Sequence, residues 1–334
     1  MPAHVSDLCG PVSGVALSRR AALRLAASGV SALATVVLAG CDIRLEDDAP
    51  DLPLLERKSI PDEAALVSAV RLVTGLGQQA GRIPGASATV ARLAGNHLTQ
   101  ATVLRARLTS AGVPNHVIDA PATSPTAGAS TSGPPAPAVS APPAVTQEQL
   151  AAAESAATTA VLGDLGTVST PNRAVLVAVA AACGAAAAEL GAPVSWAASD
   201  PLPTIAAAQL LAETRSVGWA FQVVAAQTAA DTRAAAVATM TTLSARADEL
   251  ATMGATTPPP LAYVLPFPVT TPEAAGRLAT TVMTRLVAAG LGPLPLVLHD
   301  SSALTTLVRF QVASVSLART WGVAPGPFPG MTYP

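Results

Sequence analysis

Few side chains in this 334-residue chain could move a proton, attack a carbon or hold a metal. Beyond Cys41 there are three histidines, His97, His116 and His299, and one further cysteine, Cys183. A two-metal carboxylate site inside a helical bundle needs a Glu from each of two helices and a Glu-x-x-His from each of two others, so that carboxylates and imidazoles converge on both cations. His97 falls on an apolar seam with Val90, Leu93, Ala101, Leu104 and Leu108, but the residue three before it is Ala94. Glu63 and Glu154 can face the same interior, which makes half a site. His97 therefore reads as a histidine hydrogen-bonded inside a bundle, and neither a metal nor a cofactor is expected. Cys183, set in Ala180-Ala181-Ala182-Cys183-Gly184-Ala185, reads as a small buried hydrophobe ahead of a nucleophile. Glu213 follows Leu210 and precedes Val217 on one helical face, and Arg246 on the next helix is its expected partner in a buried ion pair. His299 stands in a loop before Asp300 without ligand partners. Gly75, Gly77 and Gly81 mimic a nucleotide-binding loop, but the third spacing is wrong and they follow a helix instead of a strand. G-x-S-x-G, H-E-x-x-H and Walker sequences are absent. No catalytic residue is expected.

The strongest local pattern concerns address. Ser18-Arg19-Arg20-Ala21-Ala22-Leu23-Arg24 resembles the twin-arginine export signal, S-R-R-x-F-L-K, with Ala22 where Phe is common. The apolar run from Leu25 to Leu38 is about 21 Å long as a helix, short of the ~30 Å hydrocarbon core, and so reads as a signal-peptide core. It closes at Leu38-Ala39-Gly40-Cys41, which resembles the lipobox of bacterial lipoproteins. The resemblance implies that Arg19, Arg20 and Leu23 direct export and that the Cys41 thiol carries the lipid. The chain is then expected on the extracytoplasmic face of the cell membrane, held through a palmitate-type anchor. Cys9 lies in the removed segment, so Cys183 is left as a lone thiol and no intramolecular disulfide can form.

Composition limits the architecture that must position these residues. Half of the chain is hydrophobic, only 3% is aromatic and 12% is charged, with alanine dominant. Such a chain buries a core of small side chains between closely packed helices, which predicts an all-α fold. The formal charge of −2 gives no footprint for nucleic acid.

In order, residues 1–40 read as the signal and 41–60 as a membrane tether. A first helical bundle spans 61–192. Pro61 opens one helix and Ser87 caps the next; after the Pro/Ser/Thr-rich connector 121–143, Thr146 with Gln149 forms a capping box and Thr170-Pro171 starts a fourth helix. A second bundle spans 202–323, with a proline-rich connector at 256–270, and 324–334 form a tail. Leu176, Val177, Val179, Leu190 and Gly191 align with Leu307, Val308, Phe310, Trp321 and Gly322, as an internal duplication would produce. Each connector of some 15 extended residues reaches about 50 Å, enough to return along a ~36 Å helix. Each half is thus read as an up-down bundle with one long crossover.

This order of helices, together with Tyr263-Val264-Leu265-Pro266-Phe267-Pro268-Val269, resembles a family of actinobacterial lipoproteins carrying a ferritin-like domain of unknown function. The likeness is closest over the signal and second half. It implies ferritin-like four-helix bundles and an envelope location, and no site residues. The functional expectation is a non-enzymatic helical module that binds an unidentified protein partner or an apolar ligand, the Tyr263 to Pro268 connector being one candidate surface. The alternative is a ferritin-like metal-binding protein or oxidoreductase.

Overall fold

Alanine-rich segments punctuated by Ser, Thr, Asp, Pro and Gly form helices where those residues cap them. The computed structural model describes residues 57–120, 144–196, 198, 200–255 and 258–331. The export signal, Cys41, most of the tether and the connector 121–143 lie outside the described residues.

Among the described residues the chain is helical and has no strand. The longer helices are α1 (Glu63–Gly81), α2 (Ala88–Ser110), α4 (Gln147–Asp164) and α5 (Thr170–Leu190), with the short α3 (Asn115–Asp119) between α2 and α4. After them come α6 (Thr204–Gln227), α7 (Ala230–Thr252), α8 (Pro272–Ala289), the short α9 (Leu294–Val297) and α10 (Ser301–Arg319). Four helices are capped by side chains, two of them at Ser87 and Thr146 as the sequence signals; Asp231, a further candidate cap by sequence, lies instead inside the first turn of α7, whose start at Ala229 has no side-chain cap. Ser87 accepts from Val90 N, Thr146 and Gln149 close a reciprocal capping box, Thr271 accepts from Ala274 N, and Asp300 accepts from two amides.

Side-chain ties reveal the helix directions. Asp62, before α1, accepts hydrogen bonds from Ser169 and Asn172 at the start of α5, so α1 and α5 run parallel. Arg92 near the start of α2 meets Glu189 at the end of α5, whereas Arg107 near the end of α2 reaches Asn172, so α2 and α5 are antiparallel. The order in the first half is therefore up, down, down, up. The second half repeats it: Arg309 pairs with Glu249, Trp321 donates to Thr239, and Thr280 donates to the Trp321 carbonyl, which sets both α7 and α8 antiparallel to α10. Helix α2 ends, and α4 begins, at opposite ends of the first bundle.

The halves meet along α5 and α10, which pack side by side and parallel, with Glu189 bridged to Arg319 at 3.1 Å. Helix α5 is buried on nearly every side because it serves both halves, and this accounts for its run of alanines: small side chains let α4 and α10 approach closely. At Gly184 an added Cβ would lie 2.7 Å from Val312 Cγ2. Both helices close the same way, Gly191 and Gly322 taking φ of 97° and 77° while the next residue's N–H returns to Ala187 and Ala318. Val177, Leu176, Leu307 and Val308 share one continuous core with Leu66, Leu104, Leu210 and Phe221.

Candidate functional site

The first bundle holds a buried polar cluster at its centre. His97 on α2 is 2% exposed, Glu154 on α4 and Cys183 on α5 are fully buried, and Gln100, one turn beyond His97, is buried as well. Helical spacing explains each position: His97 and Gln100 lie on the stripe of Leu93, Ala101 and Leu104, Glu154 is three after Ala151 and three before Ala157, and Cys183 stands among buried alanines.

Hydrogen bonding fixes the orientation. Gln100 Nε2 donates to the Pro327 carbonyl at 2.5 Å, so its Oε1 is the atom that faces His97 Nδ1 at 2.8 Å. An amide oxygen only accepts, and Nδ1 therefore carries a proton. His97 Nε2 lies 2.6 Å from Glu154 Oε1. A single proton lies between the two atoms, since at that distance two bare lone pairs would repel. Burial lowers the His97 pKa, but the hydrogen bond and charge of Glu154, with help from Gln100, outweigh it and hold the imidazole above its usual 6.5. Burial drives the Cys183 thiol well above its ordinary value, and the nearby Glu154 charge adds to that. Such a thiol is protonated and unreactive as a free nucleophile.

Glu154 Oε2 is buried and makes no hydrogen bond of ordinary geometry. A His97 ring nitrogen, a Glu154 carboxylate oxygen and Cys183 Sγ all lie within 4.8 Å of one another. The C-terminal segment closes the cluster from outside, since Asn96 and Gln100 hold the Pro325 and Pro327 carbonyls and Phe328 is buried.

Concave surfaces also lie outside this cluster. A groove of about 570 Å³ runs between α1 and α2, lined by Val73, Gly77, Ala94, Gly95, Leu98 and Ala101, with Arg105 at its edge. Leu98 is 70% exposed there, and a Cβ added at Gly77 would lie 3.4 Å from His97 Cβ, so the groove floor backs onto the cluster. A second depression, between α7 and α10, is lined by Leu250, Phe310, Arg246, Glu249 and Arg309.

The sequence-predicted residues fall as follows. Glu213 and Arg246 do not pair. Glu213 meets Arg285 of α8 at 2.5 Å, and Arg285 also donates to Ser216. The buried stripe of α6 runs Leu210, Thr214, Val217 and Phe221, which turns Glu213 to the flank facing α8. Arg246 instead donates to Ser314 at 3.2 Å and lies 5.0 Å over the Phe310 ring. Glu63 does not enter the cluster, being bound to Arg57 and the Ile60 amide at the helix start. Cys183 is buried as expected, but its sulfur belongs to the polar cluster. The signal that could have placed it is the duplication register, which sets Cys183 opposite Ser314, the polar residue that Arg246 reaches in the second half. In the connector, Tyr263 packs on Trp219 with ring centroids 5.9 Å apart, Phe267 lies under Arg277, and Leu261 and Val264 are exposed. Cys41, Arg19, Arg20 and Leu23 are outside the described residues.

The family model described as "Domain of unknown function (DUF4439)" matches residues 205–333. That stretch takes in α6 to α10 and the tail, and leaves His97, Glu154 and Cys183 outside it. No curated protein and no solved structure matches the chain.

Proposed function

We propose that this chain is an exported, lipid-anchored module of two ferritin-like bundles, and that its body binds an apolar ligand in the groove between α1 and α2 instead of catalysing a reaction. The groove is the observation that carries this reading. Its size falls within the ~300–1,000 Å³ of small-molecule sites, and its lining is apolar apart from Thr74, Gln78, Thr102 and Arg105. Gly77 on α1 and Ala94, Gly95 and Ala101 on α2 leave much of the groove free of large side chains, a surface that suits an unbranched hydrocarbon chain. His97, Glu154 and Cys183, the titratable groups that converge, are sealed beneath the surface, which supports binding over turnover. The up-down-down-up order of each half supports the ferritin-like assignment, and the twin arginines followed by Leu-Ala-Gly-Cys support export and lipidation.

Two experiments test the two parts. Radiolabelled palmitate should enter wild type and not Cys41→Ser; equal labelling of both would overturn the anchor. A fluorescent fatty acid should bind the full chain in detergent and lose affinity at least tenfold in Gly95→Phe, whose new side chain starts in open space and fills the groove. An unchanged affinity in that variant, with helicity retained, assigns the probe to another surface and defeats the groove reading.

A further inference from the structure

We propose that His97, Glu154 and Cys183 form a binding site for one borderline-soft divalent cation, zinc by its ligand chemistry, at the centre of the first bundle. A ferritin-type pair of iron ions does not fit these residues: the cluster offers one carboxylate and one imidazole where two metals need several carboxylates and two imidazoles. One imidazole, one carboxylate and one thiolate are instead a ligand set that suits a single zinc ion and leaves a fourth position open.

Four features favour a metal over a proton-only cluster. The three ligand atoms already converge within 4.8 Å from three different helices. Glu154 Oε2 is buried and makes no hydrogen bond of ordinary geometry, the weak Cys183 thiol being the further donor beside the carboxylate, an under-coordinated arrangement unless something stronger binds it. His97 has the orientation that metal-bound histidines need: Nδ1–H is held by Gln100, which is itself held by the Pro327 carbonyl, so Nε2 is the ring nitrogen turned to Glu154 and becomes the ligand once the shared proton leaves. Charge also balances, because a dication with one carboxylate and one thiolate leaves the buried site neutral.

Loading requires an adjustment on the order of 1 Å, because ligand atoms now within 4.8 Å of one another must settle at about 3.3–3.6 Å around a tetrahedral ion. Two light ligands on one zinc ion stand about 3.3 Å apart for bonds of about 2.0–2.1 Å. His97 Nε2 and Glu154 Oε1 are now 2.6 Å apart and share a proton in the place the ion would take. Loading thus releases two protons, the one shared by His97 and Glu154 and the one on Cys183, while three metal–ligand bonds form. Affinity should accordingly rise by up to a hundredfold per pH unit while both protons are still bound. The ion enters during folding or when the segment carrying Pro327 lifts from Gln100. This site is separate from the groove, and either can fail without the other.

The test uses the full chain in detergent, stripped with a chelator and then either titrated directly or refolded from urea with cobalt(II) as the spectroscopic stand-in and with zinc for stoichiometry. Wild type should bind one ion per chain, show a thiolate-to-cobalt charge-transfer band, and melt several degrees higher in excess zinc. Cys183→Ser should fold, by circular dichroism, yet lose the band and the zinc-induced shift; His97→Gln should lose stoichiometric binding. Folded wild type that takes up no ion by either route would overturn the proposal. So would uptake that persists equally in Cys183→Ser and His97→Gln, since the ion would then sit elsewhere.

Discussion

At the scale of single residues, the buried pair of His97 and Glu154 dominates the energetics of the first bundle. Removing one member strands the other in a medium that cannot solvate it, which typically costs ~3–5 kcal/mol, whereas replacing both with apolar residues is often nearly neutral. In chelator-treated protein, His97→Leu should therefore lower the urea midpoint sharply, and His97→Leu with Glu154→Leu should regain much of it. Surface-like losses within about 0.5 kcal/mol in the single variant would mean that water reaches the pair. The pH dependence follows from the raised His97 pKa. The contribution is complete below the unfolded value of about 6.5 and fades as pH rises through the higher folded value. The stability gap between wild type and His97→Gln should thus narrow from pH 6 to pH 9, with Glu154 and Cys183 the groups facing the ring. Arg246 obeys the same physics differently: a half-buried cation held by a hydroxyl and an aromatic face, with the Glu249 carboxylate acting on it through its nearby charge. Phe310→Leu should cost more than the lost area alone, by ~0.5–1 kcal/mol, in a double-mutant cycle with Arg246→Met.

Among elements, the tie between the starts of α1 and α5 is the informative one. Asp62 has a left-handed backbone at φ 63°, which Asp and Asn tolerate better than most residues. Burial raises its carboxyl pKa, but hydrogen bonds from Ser169 and Asn172 outweigh that and hold it below the usual range. A lowered carboxyl contributes above its unfolded pKa, about 3.9, and loses the contribution as pH falls through the folded value. Asp62→Asn keeps the backbone preference and removes the charge. At neutral pH it should cost about 0.5–1 kcal/mol, screening by solvent included, and the difference from wild type should vanish in acid. A difference that persists below the folded pKa would place the effect in the backbone.

On the scale of the whole molecule, the seam between α5 and α10 decides whether the two halves behave as one cooperative unit. Gly184→Ala drives a methyl to 2.7 Å from Val312 Cγ2 and against Thr158, an overpacking of ~1–3 kcal/mol. Val312→Ala in the same chain should restore part of that loss, because it removes the atom that is struck. Calorimetry of wild type should give one transition over residues 57–331 if the shared core couples the halves, and two if it does not.

How much of this was legible beforehand follows from what each signal encodes. Caps, helix spans and the all-helical class could be read from local residues, since Ser87, Thr146, Thr271 and Asp300 act within one turn of themselves. The inward face of His97 could be read as well, because 3.6-residue periodicity is local. The partners could not. Hydrophobic spacing matches Glu213 with Arg246, but Glu213 stands about 100° around α6 from the buried stripe and meets Arg285 instead. Cys183 looks apolar by its neighbours in sequence, yet it meets Glu154 because α5 is enclosed by both halves, a property of no single segment. Sequence determines which face of each helix is buried; which helix stands opposite that face is decided only when the bundles close, and the chemistry of this protein is carried by that second choice.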